Sequence, residues 1–286
     1  MSKSHKIKQV IQSTEKTAVI TKAMQLVSAS KLPTAMNKFN QAKPYADLAE
    51  QIMQHYTEIG RHPYFQPRNQ SKAHGLIIIT SDKGLCGSLN LQLFKQILSY
   101  VKQQQSDGIT VKLSIAGEKG AQFFAKQPNI ISHVKQLSNS PTLEEIMPLI
   151  QPMLSAYDQG EIDAIYIAHN VFKNTLTQEA SIRQVLPLPL PENNVRSPDY
   201  IYEQPSDEII DTLLKRYSES LIYRCIIENM TSEHAARMIA MKNATDNANE
   251  IISDLKLTYN KIRQALITQE IAEISAGATQ SNGENI

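Results

Sequence analysis

Three groups of polar residues in this chain could do chemistry. Ser81-Asp82-Lys83-Gly84-Leu85-Cys86-Gly87-Ser88-Leu89-Asn90 follows a short apolar run and precedes a helix-periodic one. A strand-to-helix turn of that kind can hold a phosphate on its backbone amides. Its two glycines and its lysine fit neither G-x-x-x-x-G-K followed by Ser or Thr nor the full G-x-G-x-x-G, so a tight turn and a ligand cradle both stay open. Cys86, close to the start of a helix, could be a stabilised thiolate. No histidine is placed by sequence to activate it, and a small buried thiol is the expectation. Glu233, Arg237 and Lys242 stand at i, i+4 and i+9 on one helix. Glu233 and Arg237 either make a local pair worth a few tenths of a kcal/mol, or Arg237 and Lys242 face acidic groups on another protein. Thr268-Gln269-Glu270 sets hydrogen-bonding groups among apolar neighbours, as a polar helix face or as a catch against a partner loop. The seven histidines show no H-x-x-x-H spacing and the cysteines no C-x-x-C, so no metal site is expected.

Charge narrows the choice of partners. The net charge of +1 gives no global attraction to nucleic acid. Locally, eight lysines up to residue 43 (Lys3, Lys6, Lys8, Lys16, Lys22, Lys31, Lys38, Lys43) face a single acid, Glu15. That segment is either a solvated helix face or a dock for an acidic surface or phosphates. Cys86 and Cys225 lie in different expected elements, which argues for reduced thiols in a cytosolic compartment and against a structural disulfide. The Met-Ser-Lys-Ser-His-Lys start lacks the apolar stretch of a signal peptide, and no apolar run approaches the ~18 residues of a membrane span.

The elements that position these groups follow from periodicity. Ile7, Val10, Ile11, Thr14, Thr17, Ile20, Met24, Val27, Leu48 and Ile52 keep mainly to three- and four-residue steps, so residues 4–56 read as helix. Pro33 and Pro44 interrupt it, and an internal proline costs about 3 kcal/mol or a kink. One bent helix or two abutting ones are expected. Gly60, Pro63, Pro67 and Asn69 mark a connection. Strands are then expected at 76–80, 111–116, 162–169 and 178–186, with helices at 91–104, 118–126 and 143–157. Alternating strand and helix implies an α/β layer of largely parallel order. The Leu186-Pro187-Leu188-Pro189-Leu190-Pro191 run ends it, and 193–205 links it onward. From Ser206, a candidate N-cap, to Ala276 no glycine or proline occurs, allowing one helix of roughly 70 residues, about 105 Å long. Ala235, Met238, Met241, Ala244, Thr245 and Ala248 make one small-residue face on it. Two long terminal helices without a core of their own must pair, antiparallel, as a coiled coil with the α/β layer attached at one end. The expected fold is therefore α/β: a coiled coil of residues 1–58 and 206–280 with an inserted Rossmann-like domain over 75–191. The end of the second helix, 256–276, should project with Leu255, Tyr259, Ile262, Leu266, Ile267, Ile271 and Ile274 in need of an outside partner.

Ser232-Glu233-His234-Ala235-Ala236-Arg237-Met238-Ile239-Ala240-Met241-Lys242-Asn243-Ala244-Thr245-Asp246-Asn247-Ala248 resembles the signature segment of the F-type ATP synthase gamma subunit. Ile20 to Lys31, Ser81 to Asn90 and Tyr259 to Ile271 resemble that family in the same order along the chain. The resemblance implies a rotor shaft without an active site or cofactor of its own, turning inside a bearing of alpha and beta subunits. It further implies contacts with the epsilon subunit and the membrane ring of c subunits, no nucleic acid, and peripheral association with the cytoplasmic face of a bacterial inner membrane. Ion flow would turn ring and shaft and drive the three catalytic sites of the beta subunits. By matching, Lys22, Met24, Arg237, Lys242, Thr268, Gln269 and Glu270 would be coupling or catch residues. Three positions depart from the family pattern: Val19 stands for a usual lysine, Pro33-Thr34 for a basic pair, and Lys83 for an arginine. The cysteine-bearing insertion of chloroplast members is missing, so no thiol-disulfide switching is expected. The rival reading is a nucleotide-binding α/β enzyme whose coiled-coil arm grips nucleic acid. It is motivated by the lysine-rich start and the Ser81 to Asn90 loop.

Overall fold

The computed structural model describes residues 3–54, 62–68, 72–138, 141–189 and 206–283. Gly60, Asn69, Leu190, Pro191 and the 193–205 link fall outside the described residues. The elements are α1 (Lys3–Gln54), β1 (Ala73–Ile79), α2 (Leu89–Ser106), β2 (Thr110–Ala116), α3 (Glu118–Phe124), β3 (Ile130–Val134), α4 (Leu143–Asp158), β4 (Ala164–Phe172), β5 (Gln178–Leu186) and α5 (Ser206–Gly283). Two compact units result, Met1–Val27 with Ala240–Ile286 and Ser28–Ile239.

The larger unit is built on a five-stranded sheet of order β3-β2-β1-β4-β5. β1 pairs in parallel with β2 and β4, β2 with β3 in parallel, and β5 runs antiparallel on β4. The apolar run of β1 feeds both faces, as a strand covered on each side must. Leu76 and Ile78 join Leu93, Phe94 and Ile97 of α2 with Leu113, Ile115 and Phe124. Ile77 and Ile79 join Ile146, Leu149, Ile150 and Met153 of α4, Ile165 and Ile167 of β4, and Leu214, Ile222, Cys225 and Ile226 of α5. α5 is thus part of the core of the α/β layer. Strand β3 is an addition to the expected set. It is a five-residue edge strand whose half-exposed pattern carries Ser132 and His133, so it lacks an apolar signature.

Prolines 33 and 44 do not divide α1, which is one helix of 52 residues. Of the two expected alternatives, one bent helix or two abutting ones, the second does not hold. Pro33 is exposed, so water can take the carbonyl of Ala29 that loses its donor, and the helix continues at a local cost.

In the smaller unit the two helices run antiparallel. Thr21 Oγ1 lies 2.8 Å from Thr245 Oγ1, and Lys256 Nζ is 2.8 Å from Glu15 Oε1. Between them Ile11 and Ala18 pack on Ala248 and Ile252, flanked by Ile7, Leu255 and Tyr259. Along α1 the buried positions 11, 18, 28, 32 and 35 join half-buried 7, 14, 21, 25 and 39 in a run that alternates steps of four and three, with 15, 24, 29, 31, 36 and 38 half-buried beside it. That is a coiled-coil seam of period 3.5. Val10, Ile20 and Val27, expected on the packed face, are instead 49%, 59% and 53% exposed. Small residues stand at buried positions of the run, Ala18 at 8% and Ser28 at 2% exposure. On α5 the expected face holds: Ala235, Met241, Thr245 and Ala248 are buried and Met238 and Ala244 half-buried. Beyond Ile262 every described side chain up to Ile274 is exposed.

Candidate functional site

The loop after β1 is a tight turn whose three parts are tied to three different places. At its base Asn90 Nδ2 donates to Ser81 Oγ at 2.6 Å. Asp82 Oδ1 accepts from the backbone N–H of Glu118 at 3.1 Å and of Gln136 at 3.2 Å. At its tip Arg237 of α5 donates from Nε to Gly84 O at 3.2 Å and from Nη2 to Lys83 O at 3.0 Å. The same Nη2 donates to Glu233 Oε1 at 2.6 Å, so the local pair expected from i, i+4 spacing is present. Arg237 is therefore engaged inside its own chain, its side chain only 11% exposed. Burial pushes the Glu233 carboxyl up, with Arg237 opposing and Asp82 adding to the shift. Burial, with Arg237 and Lys31 beside it, holds the neighbouring His234 down at about 4. Burial and Glu233 likewise raise the thiol of Cys86, which is 3% exposed. Both cysteines are free and buried.

One turn earlier on α5, a second set of polar groups meets the end of β4. Asn229 Oδ1 accepts from the backbone N–H and the side-chain amide of Asn170, at 3.0 and 2.9 Å. Ser232 Oγ donates to Asn170 O at 2.9 Å. Glu228 accepts from Phe172 N at 3.3 Å and lies 3.2 Å from His169 Nε2. Burial pulls His169 down, yet Cys225 and Glu228 beside it outweigh that and lift it to about 9. In a sheet of this order the switch point falls between β1 and β4, where an α/β fold binds ligands beyond the strand ends. Here side chains of α5 bond to the end of β4 and to the loop that follows β1. Among the described residues no group of three or more His, Cys, Asp or Glu is arranged to hold a metal, and no helix is long and apolar enough to cross a membrane.

The remaining sequence-derived residues do not converge on one site. Lys22 is exposed and donates to Gln25 Oε1 at 3.2 Å; Met24 is half-buried and Lys242 exposed. These three lie near the Thr21–Thr245 contact of the smaller unit. Thr268, Gln269 and Glu270 follow Thr245 by more than 20 residues, about 35 Å along a helix. Thr268 Oγ1 bonds Gln264 O at 2.9 Å and Gln269 Nε2 bonds Glu273 Oε1 at 2.8 Å, while Glu270 is exposed and has no partner among the described residues. Sequence reasoning named Asp82 only as part of its loop and passed over His169, Asn170, Glu228 and Asn229. The signal available was polar residues within the otherwise apolar segments 164–172 and 225–232.

The ATP synthase family model matches residues 3–280. The ATP synthase gamma chain of Stenotrophomonas maltophilia is 42% identical over 284 residues, covering 97% of this chain and 99% of that one. The gamma chain of Coxiella burnetii is 44% identical over 285 residues, with coverage of 97% and 99%. Among solved structures, a chain of the Euglena gracilis mitochondrial ATP synthase assembly of OSCP, F1 and c-ring matches with a TM-score of 0.70 at 17% identity, covering 99% of this chain and 96% of that one. A chain of the Tetrahymena thermophila central stalk and c-ring matches with a TM-score of 0.60 at 23% identity, over 79% and 99%. These likenesses support the α/β fold with long terminal helices, and nothing in them favours a nucleotide-binding enzyme with a nucleic-acid arm. Two gamma chains matched end to end above 40% identity carry the assignment: the chain belongs to the gamma chain family of F-type ATP synthase.

Proposed function

We propose that this chain is the central rotor shaft of an F-type ATP synthase, coupling ion flow through a ring of c subunits to nucleotide chemistry on the beta subunits. It contributes no catalytic group itself. The observation that carries the reading is the end of α5. Leu266, Ile267, Ile271 and Ile274 are 41%, 47%, 62% and 72% exposed, on a helix whose preceding turns are packed on α1. An apolar helix end of that kind calls for a covering surface, and an apolar bearing of alternating alpha and beta subunits supplies one. Val19, at 70% exposure, and Ile20 line a groove of about 660 Å³ on α1 with Gln12, Glu15 and Lys16, a second surface suited to the same bearing.

Lys22, Met24, Lys242, Thr268, Gln269 and Glu270 are the contacts that meet the bearing in turn. Exposed ionic contacts are worth at most about 1 kcal/mol each, which suits contacts that must break on every revolution. Arg237 contributes through the loop it holds. Epsilon and the c ring are the partners of the larger unit. The complex is peripheral at the cytoplasmic face of a bacterial inner membrane. Co-expression with the cognate alpha and beta subunits is expected to give a stable complex with ATPase activity. Recovery of this chain free of both, with alpha and beta assembled without it, would overturn the proposal.

A further inference from the structure

The β1–α2 loop carries a conformation its own sequence does not favour. Leu85 has φ +64° and is 57% exposed. A left-handed backbone disfavours a leucine by roughly tenfold or more against the right-handed alternative, and an exposed leucine gains nothing from packing to offset that. Something else must hold it. The base of the loop is tied by Ser81 and Asn90, and Asp82 is tied to α3 and to residue 136. The side chain that reaches the carbonyls of Lys83 and Gly84 is that of Arg237. The loop's next residue but one, Cys86, is closed over, within 3.6 Å of Asn90 Nδ2.

We propose that Arg237 is a latch: its guanidinium fastens the tip of the β1–α2 loop to α5, keeping Leu85 outward in its left-handed backbone and Cys86 occluded beneath. Arg237 is a positioning residue, acting through Lys83 and Gly84. Glu233, bonded to the same Nη2, fixes the rotamer from which the guanidinium reaches both carbonyls. The planar fork of arginine suits two neighbouring carbonyls, and an ammonium group reaches one at a time. The inference concerns this chain alone and stands whether or not the rotor reading does.

The test uses the purified full chain without partners. Second-order labelling of Cys86 by a small maleimide reads loop opening, and Cys225, 2% exposed and in the core of the same unit, reads global opening. Loss of two charge-assisted hydrogen bonds in Arg237→Ala should speed Cys86 labelling about thirtyfold, with Cys225 unchanged. Tryptic cleavage after Lys83 should rise in parallel, because its carbonyl is released. Arg237→Lys should fall between, about fivefold faster than wild type. Unchanged Cys86 labelling in both variants overturns the latch, as does an equal rise at Cys86 and Cys225. Should Arg237→Ala fail to fold, Arg237→Lys decides alone: a Cys86 rate equal to wild type refutes the proposal.

Discussion

Replacing Leu266, Ile271 and Ile274 together by glutamine separates what this helix does for its own fold from what it does for a partner. The three side chains are 41%, 62% and 72% exposed. Burying one fully is worth about 1.5–3 kcal/mol. Covering the exposed fractions therefore contributes about 1 kcal/mol for Leu266 and about 1–2 kcal/mol for each isoleucine, about 4 kcal/mol in total. Incomplete coverage and the ordering of side chains take about half of that, leaving about 2 kcal/mol, a weakening of about thirtyfold. Glutamine is a good helix former, and exposed substitutions stay within about 0.5 kcal/mol of neutral, so the thermal midpoint of the free chain should hardly move. The assay is the dissociation constant of fluorescently labelled chain from cognate alpha and beta subunits, run beside a thermal melt of the chain alone. Ile252→Ala is the reciprocal control. Ile252 packs on Ile11 and Ala18 at 9% exposure, and its truncation should cost about 2–4 kcal/mol of folding stability. Affinity of the triple variant within threefold of wild type would refute the bearing argument, and so would a lowered melting midpoint with unchanged affinity.

Further perturbations test the packing of the larger unit. At Gly117 the backbone has φ +96°, and an added Cβ would lie 2.3 Å from Thr80 O. Gly117→Ala should cost about 3–5 kcal/mol, read as a lower urea midpoint at unchanged slope, from strain and clash together. Gly108, at φ +75° with nothing within 4 Å of the added atom, should lose only the strain, about 1 kcal/mol. Equal costs at the two positions would refute the steric account. Asn229→Ala removes the acceptor of two bonds and leaves the Asn170 N–H buried, which should cost about 2–3 kcal/mol in the same melt. The two buried histidines set opposite pH flanks. His169, raised to about 9, stabilises the fold below the unfolded value near 6.5 and loses that contribution as pH rises through 9. His234, held down at about 4, contributes above 6.5 and loses its contribution as pH falls toward 4. Stability should peak near pH 6.5, with the alkaline flank flattened in His169→Asn and the acid flank in His234→Asn; melts across pH that keep both flanks in the variants would refute it.

Much of the architecture is legible where one physical signal dominates. The Leu76–Ile79 run reads as a strand buried on both faces because nothing else in a short apolar run between turn residues is stable. The small-residue face of α5 reads correctly because alanine, threonine and methionine recur at one spacing for several turns. The α1 seam is only partly read: Ile7, Ile11 and Thr14 lie on it and Met24 beside it, but bulk also draws attention to Val10, Ile20 and Val27, whereas buried positions carry Ala18 and Ser28. The edge strand β3 hides because a half-exposed five-residue segment with serine and histidine carries too little apolar signal. The site is less legible than the fold. Sequence spacing reveals the Glu233–Arg237 pair, but the carbonyl of Lys83, 154 residues away, is a backbone acceptor and has no residue type to betray it. Nor does any sequence rule assign a left-handed backbone to Leu85 when Gly84 stands beside it and Gly87, two residues on, adopts one as well.

The polar residues that α5 sets against the sheet explain how an α/β fold gives up ligand binding for mechanical connection. A nucleotide in the crevice between β1 and β4 would need free backbone amides at the strand ends and an open loop. Asn170 N is taken by Asn229, Phe172 N by Glu228, and the loop tip by Arg237. These groups are engaged by the chain's own helix. Apolar packing alone would hold α5 there, since Leu214, Ile222 and Ile226 already sit in the core, yet such contacts are non-directional and resist rotation of a helix about its axis only weakly. Hydrogen bonds to fixed backbone groups are directional. Asn229, Ser232 and Arg237, spread over two turns of one helix, fix its axial rotation as well as its position. A shaft that passes torque needs that constraint, because a helix free to roll in its seat would dissipate the twist before it reached the exposed end.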